Sequence, residues 1–138
     1  MIDDLSPEMK GKLIEAACAA RQFSYSPYSH YPVGAALLTS SGKLYTGTNI
    51  ENAAFPLCNC AERTAIFKAV SEGEKDFRAI AVVTANAGSP CGSCRQVMAE
   101  FGLEMLVLIA DADGRVHRET SVAGLLPEAF TPADLPRP

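Results

Sequence analysis

Two nearly unbroken apolar runs, residues 79–85 and 105–110, dominate the hydrophobic pattern, and each has the length of a strand buried on both faces. Elsewhere the period changes. Ser6 before Pro7 reads as an N-cap with proline at the first helical position, and Leu13, Ile14, Ala17 and Cys18 follow at helical spacing. This predicts a helix to about residue 22, with Cys18 as a small core residue in its stripe. Residues 24–32 form a loop rich in Tyr, Ser and Pro. Residues 33–38 and 44–50 read as strands joined through the hairpin loop 39–43. A loop over 52–59 leads to a helix over residues 60–72, closed by Gly73. A Gly/Ser/Pro turn delivers Cys91, and Val97, Met98 and Phe101 lie on a second such helix that stops at Gly102. After the run 105–110, the turn Asp111-Ala112-Asp113-Gly114 leads to a short polar strand over 115–119, one helical piece near Leu125 and a Pro-rich end.

The order helix, strand, strand, helix, strand, helix, strand, strand predicts an α/β architecture, one mixed five-stranded sheet with helices packed on its faces. Right-handed crossovers bring the starts of the two later helices to the same end of the sheet, where open sheets bind ligands.

Those two helix starts carry Cys60-Ala61-Glu62 and Pro90-Cys91-Gly92-Ser93-Cys94. Zinc favours thiolate and imidazole donors, and a catalytic zinc keeps one of its four tetrahedral positions open for water. Cys60, Cys91 and Cys94 without a fourth partner read as such an open site, and free N–H groups at helix starts favour thiolate over thiol. Glu62 is then the natural proton carrier for a water activated at the metal. Three thiolates on one dication leave a net negative charge. Arg63, one turn from Cys60, is the cation placed to offset it by donating to sulfur; Gln96 could act similarly near Cys94. Other readings stay open: a redox dithiol, or a closed structural zinc knot with Cys58 as the fourth ligand. His30 and His117 lie outside any ligand pairing. Neither alternative explains Glu62.

Composition narrows the partners. A chain of 138 residues is one domain's worth, residues 1–138, with about 131–138 as an extended tail. Twelve Lys and Arg against sixteen Asp and Glu give a net charge of −4 with no basic cluster, which disfavours nucleic acid and points to a small neutral substrate. No segment approaches the roughly 18 uninterrupted apolar residues of a membrane span. Met1-Ile2-Asp3-Asp4 lacks the layout of a signal peptide. Five cysteines, three assigned to metal, argue against a disulfide framework and for a reducing cytoplasm.

The set of motifs resembles the small homotetrameric cytidine deaminases, of the cytidine/deoxycytidylate deaminase superfamily. The resemblance rests on Asn49-Ile50-Glu51-Asn52-Ala53-Ala54, Cys60-Ala61-Glu62-Arg63-Thr64-Ala65 and Pro90-Cys91-Gly92-Ser93-Cys94-Arg95-Gln96. It extends to Ser26-Pro27-Tyr28-Ser29, Val33-Gly34-Ala35-Ala36-Leu37 and Leu125-Leu126-Pro127 with Ala129-Phe130. It implies a three-layer cytidine-deaminase-like fold, one Zn2+ per chain, and hydrolysis of cytidine and 2′-deoxycytidine to the uridines with release of ammonia, a step of pyrimidine salvage. By the same resemblance Asn49 and Glu51 bind ribose hydroxyls, Ala61 lines the substrate, Tyr31 stacks on the pyrimidine, and Phe130 comes from a neighbouring subunit. Phe55 stands where tyrosine is common and lacks its hydroxyl. A blasticidin-type or other small-heterocycle deaminase shares the zinc motifs, and a zinc-stabilised binding module without turnover is the rival from outside enzymes.

Overall fold

The computed structural model describes residues 5–136, so the reading of the first four residues lies outside it. Helix α1 spans Pro7–Arg21, and strands β1 and β2 span Gly34–Thr39 and Leu44–Thr48. A 3-10 turn (Phe55–Leu57) precedes α2 (Ala61–Ser71), followed by β3 (Phe77–Thr84) and α3 (Gly92–Phe101). Then come β4 (Leu106–Asp111), β5 (Val116–Ser121) and the short α4 (Val122–Leu125).

Ser6 caps α1 by accepting from Met9 N at 3.2 Å, as its position before Pro7 requires. The strands form one sheet in the order β2-β1-β3-β4-β5. β3 and β4 pair in parallel, and every other pair is antiparallel. The inner strands β1 and β4 are buried almost throughout, as is β3 from Ala79 onward, which is why they read as continuous apolar runs. Edge strand β2 alternates between exposed and buried, and β5 is largely exposed.

Alternate residues of the inner strands feed two cores. On one face Leu13, Ile14 and Ala17 of α1 pack on Ala36, Leu38, Ala81, Val83 and Leu108. On the other Ile66 of α2, Met98 of α3 and Val122 of α4 pack on Leu37, Ile80, Val107 and Ile109. The result is three layers, with each buried Leu, Ile or Val contributing about 1.5–3 kcal/mol.

β2 and β3 both run antiparallel to β1, so they point the same way, and α2 and α3 start from the same edge of the sheet. Strand ends fall within two residues of the expected ones, and two departures have a physical reason. β2 ends at Thr48 rather than residue 50, because Ile50 bridges to Tyr25 and Asn59 instead of β1. The expected extended tail contains a 3-10 turn over Pro132–Asp134, where Thr131 N donates to Asp134 Oδ2 at 2.9 Å.

Gly47 on β2 sets how closely α2 can sit. A Cβ there would fall on Ala61 O and lie 2.6 Å from Ala65 N, both of them α2 backbone. Gly47→Ala is therefore expected to push the first turn of α2 outward and cost about 1–3 kcal/mol by denaturant unfolding. Gly11→Ala, in open space on α1, should instead stabilise by about 0.5–1 kcal/mol. Equal effects would remove the close-approach argument.

Candidate active site and metal centre

Cys60 is the N-cap of α2 and Cys91 the N-cap of α3, and neither side chain makes a capping hydrogen bond. Both sulfurs are left free to turn toward each other. Cys94, in the first turn of α3, is buried. The Cys60 and Cys91 sulfurs lie 3.9 Å apart, those of Cys91 and Cys94 3.5 Å, and all three fall within 4.8 Å of one another. Tetrahedral zinc with bonds of about 2.3 Å holds its sulfurs about 3.8 Å apart, so this donor set fits zinc. Cys58 stands apart: its sulfur accepts from Asn52 N at 3.3 Å and donates to Asn52 O at 3.6 Å. A closed four-thiol knot is not assembled.

The electrostatics follow from packing thiols together. A hydrogen bond from Cys94, followed by the Arg63 guanidinium, holds the Cys60 thiol down to about 5 against its burial. Cys94 moves the opposite way, because it donates to Cys60 and is itself buried. Arg63 Nη2 donates to Cys60 Sγ at 3.1 Å, and its Nε is buried without a hydrogen-bond partner among the described residues. Glu62 is 4% exposed, and loss of water pushes its carboxyl up to about 7, with the charge on Cys60 adding to the rise.

These groups form one end of a cavity of about 290 Å³, at the lower limit for small-molecule sites. Cys60, Ala61, Glu62, Arg63 and Cys91 meet Tyr31, Asn49 and Glu51 across it. Asn49 and Glu51 are heavily engaged. Asn49 Oδ1 accepts from Ser24 Oγ and Val33 N, and Nδ2 donates to Tyr31 O at 2.9 Å. Glu51 accepts from Tyr28 N, Ser29 N and Ser29 Oγ, and the serine hydroxyl is the main reason its carboxyl is held below the usual range. Asn52 makes the Asx turn, accepting from Ala54 N at 2.8 Å.

Of the expected site residues, Gln96 and Phe55 lie elsewhere, whereas Phe130 was expected in a neighbouring subunit's cavity. Gln96 does not donate to a thiol; its Nε2 donates to Phe130 O at 2.8 Å, because α3 turns that side chain toward the C-terminal segment. Phe130 is exposed and does not line this chain's cavity. Phe55 is exposed as well, stacked edge-on against Tyr28 at 5.6 Å in a shallow groove beside the cavity. The sequence reading missed the opposite wall of Thr84, Gly88 and Ser89. Tyr31 Oη donates to Asn86 Oδ1 at 2.7 Å, and a Cβ on Gly88 would fall on that hydroxyl. The available signal was Thr84, the polar residue that closes the buried stretch of β3 from Ala79 onward.

The family model described as "Cytidine and deoxycytidylate deaminase zinc-binding region" matches residues 7–110, which include all three clustered cysteines. The chain belongs to that family. The cytidine deaminase of Sporosarcina psychrophila is 54% identical over 127 residues, covering 90% of this chain and 93% of the relative. That of Halalkalibacterium halodurans is 51% identical over 126 residues, covering 89% and 95%. In structure, the chain resembles the cytidine deaminase of Burkholderia pseudomallei with a TM-score of 0.83 and 50% identity, over 91% of this chain and all (100%) of the other. Membership in a zinc-binding deaminase family agrees with the thiol geometry. No helix among the described residues is long and apolar enough to cross a membrane.

Cys60→Ala, Cys91→Ala and Cys94→Ala are each expected to lose zinc and thermal stability together, since metal binding couples to folding. Cys58→Ala should keep about one zinc per chain by metal analysis. A zinc-free Cys58→Ala protein would mean that its thiol is recruited as a ligand.

Proposed function

We propose that this chain catalyses the zinc-dependent hydrolytic deamination of cytidine and 2′-deoxycytidine to uridine and 2′-deoxyuridine, with release of ammonia. The observation that carries this reading is a buried carboxylate, Glu62, beside three clustered thiols at one end of a nucleoside-sized cavity. Cys60, Cys91 and Cys94 would hold the metal. Zinc supplies Lewis acidity, which lowers the pKa of water and makes it a nucleophile at neutral pH.

The chain's own residues do the rest. Glu62 takes one proton from the attacking water and delivers it to N3 of the pyrimidine. It then takes the second from the new C4 hydroxyl and gives it to the amine, which leaves as ammonia while C4 becomes a carbonyl. A carboxyl raised by burial is suited to carrying a proton both ways near neutral pH. Arg63 draws electron density from the Cys60 sulfur. Tyr31, fixed by Asn86, stacks on the base, and Ala61 lines its edge.

At the sugar end the free valences can be counted. Both lone pairs of Asn49 Oδ1 and both of Glu51 Oε1 are filled by protein donors. What remains is one N–H of Asn49 Nδ2 and one lone pair of Glu51 Oε2. One donor and one acceptor satisfy one hydroxyl. The 3′-hydroxyl is the ring hydroxyl common to both substrates, so the pair reads that group and leaves the 2′ position unread. Among the described residues Arg63 is the one Lys or Arg lining the cavity, and it is bonded to the Cys60 sulfur rather than free to receive a 5′-phosphate. Phe130, exposed on its own chain, completes the cavity of a neighbouring subunit in a homotetramer, and Phe55 packs near the sugar. The enzyme acts in cytoplasmic pyrimidine salvage as a single-domain chain. The small-heterocycle and non-catalytic readings are not favoured, since the relatives at 54% and 51% identity are cytidine deaminases.

Glu62→Gln is expected to keep its zinc and lose about 10²–10⁴-fold in ammonia release from cytidine, the contribution of a positioned proton carrier. Loss of zinc in that variant would make Glu62 a ligand and sink the mechanism. 2′-Deoxycytidine should match cytidine in kcat/KM within a few-fold, whereas 3′-deoxycytidine should lose about 10–100-fold because it strands the Asn49 and Glu51 groups. Equal turnover of the 3′-deoxy compound would contradict the one-hydroxyl count. Co-refolding Glu62→Gln with Phe130→Ala should restore activity above that of either parent, because about one quarter of shared sites become intact. No recovery in confirmed mixed tetramers would make each site self-contained.

A further inference from the structure

Arg95 follows Cys94 in the first turn of α3, and its guanidinium is spent on three residues in two other segments of the chain. Nε donates to Pro90 O at 2.8 Å and Nη2 to Ser89 Oγ at 2.8 Å. Nη1 donates to Leu125 O at 2.7 Å. The first two bonds grip the turn that ends in Cys91. The third satisfies a carbonyl at the C-terminus of α4 that has no helical partner of its own. From there the chain runs to Phe130, whose carbonyl is held by the very next side chain, Gln96. Consecutive residues of one helical turn thus hold the cysteine-bearing turn on one side and a segment thirty or more positions later on the other.

We propose that Arg95 and Gln96 are positioning residues that latch segment 125–130 to the helix bearing Cys91 and Cys94, so that one turn of α3 sets both the seat of Cys91 and the placement of Phe130. Cys91 needs such a support. It is the exposed member of the thiol cluster, and as N-cap its own side chain makes no capping bond. The orientation of the peptide before it is fixed through Pro90 O, which Arg95 holds. A rotation of that peptide carries the Cys91 sulfur away from its two partners. The guanidinium does this as a planar fork, with donors at fixed angles reaching two segments at once. A lysine ammonium has the charge without the fork and cannot span them. Gln96 makes a single bond to the arm, so its removal frees Phe130 without disturbing the thiols. The value of Phe130 to a neighbouring cavity rests on the deaminase reading; the latch itself does not.

The test uses the full-length zinc protein and three single variants: Arg95→Lys, Ser89→Ala and Gln96→Ala. Zinc release to a chromophoric chelator and amide hydrogen exchange are read on each, neither of which needs turnover. Arg95→Lys should release zinc about 10–100-fold faster, as when a supporting partner of a ligand is lost, with faster exchange over both 88–91 and 122–127. Ser89→Ala should fall between Arg95→Lys and the parent. Gln96→Ala should release zinc within about twofold of the parent, show faster exchange over 126–131 only, and raise KM for cytidine more than it lowers kcat. A merely structural arginine predicts uniform destabilisation, with exchange rising over β3 as much as over the latched segments. Unchanged zinc release in Arg95→Lys, or unchanged C-terminal exchange in both Arg95→Lys and Gln96→Ala, overturns the proposal. If Arg95→Lys does not fold, Ser89→Ala and Gln96→Ala decide it. An inactive parent protein with the expected release and exchange pattern would reject the deaminase reading and keep the latch.

Discussion

Three sulfur atoms within 4.8 Å of one another cannot all carry charge without a cation among them. Two thiolates at about 4 Å repel by about 4 kcal/mol at the effective dielectric of a protein surface. The crowding pushes the thiols apart in acidity: Cys94 and the Arg63 guanidinium hold the Cys60 thiol below its usual range, while Cys60 and burial hold Cys94 above it. A dication removes the conflict and ionises all three, leaving one net negative charge. The Arg63 guanidinium, bonded to the Cys60 sulfur, is placed to offset it. The same crowding acts on Glu62, whose carboxyl is raised by burial first and by the charge on Cys60 next. The thiol cluster and the Glu62 carboxyl are therefore set by one electrostatic arrangement.

The fold exists in a form that makes this crowding possible. β2 and β3 lie in the same direction on either side of β1, so the helices that follow them begin at one edge of the sheet. Each begins with a cysteine in the N-cap position whose thiol does not cap. Gly47 lets α2 sit on β2 closely enough for its first turn to reach the site. Apolar burial on both faces of the sheet makes this framework rigid, and the polar bonds of Asn49, Glu51 and Arg95 then fix the loops around it.

Much of this was legible in the residues. The inner strands announced themselves as apolar runs because both of their faces are covered, and Ser6-Pro7 and Gly73 marked helix ends through local backbone chemistry. The Cys60, Cys91 and Cys94 cluster was legible because ligand chemistry restricts residue type and spacing. The loop bonds were not. That Glu51 would accept three hydrogen bonds from the 28–29 turn depends on a fold in space that brings residues 22 and 23 positions apart together. Gln96 was misread for the same reason: its neighbour Cys94 suggested a thiol partner, while the helix directs it to Phe130 O. The end of β2 at Thr48 likewise reflects a tertiary choice, since Ile50 finds partners in Tyr25 and Asn59.

The central claim is that two helix starts build an open zinc site from three thiols, with the fourth position left to water. X-ray absorption at the zinc edge of the purified protein measures that directly. The account predicts three sulfur neighbours at about 2.3 Å and one light atom at about 2.0 Å. Four sulfurs, with Cys58 drawn in, would make the site structural and leave Glu62 without a reaction to serve.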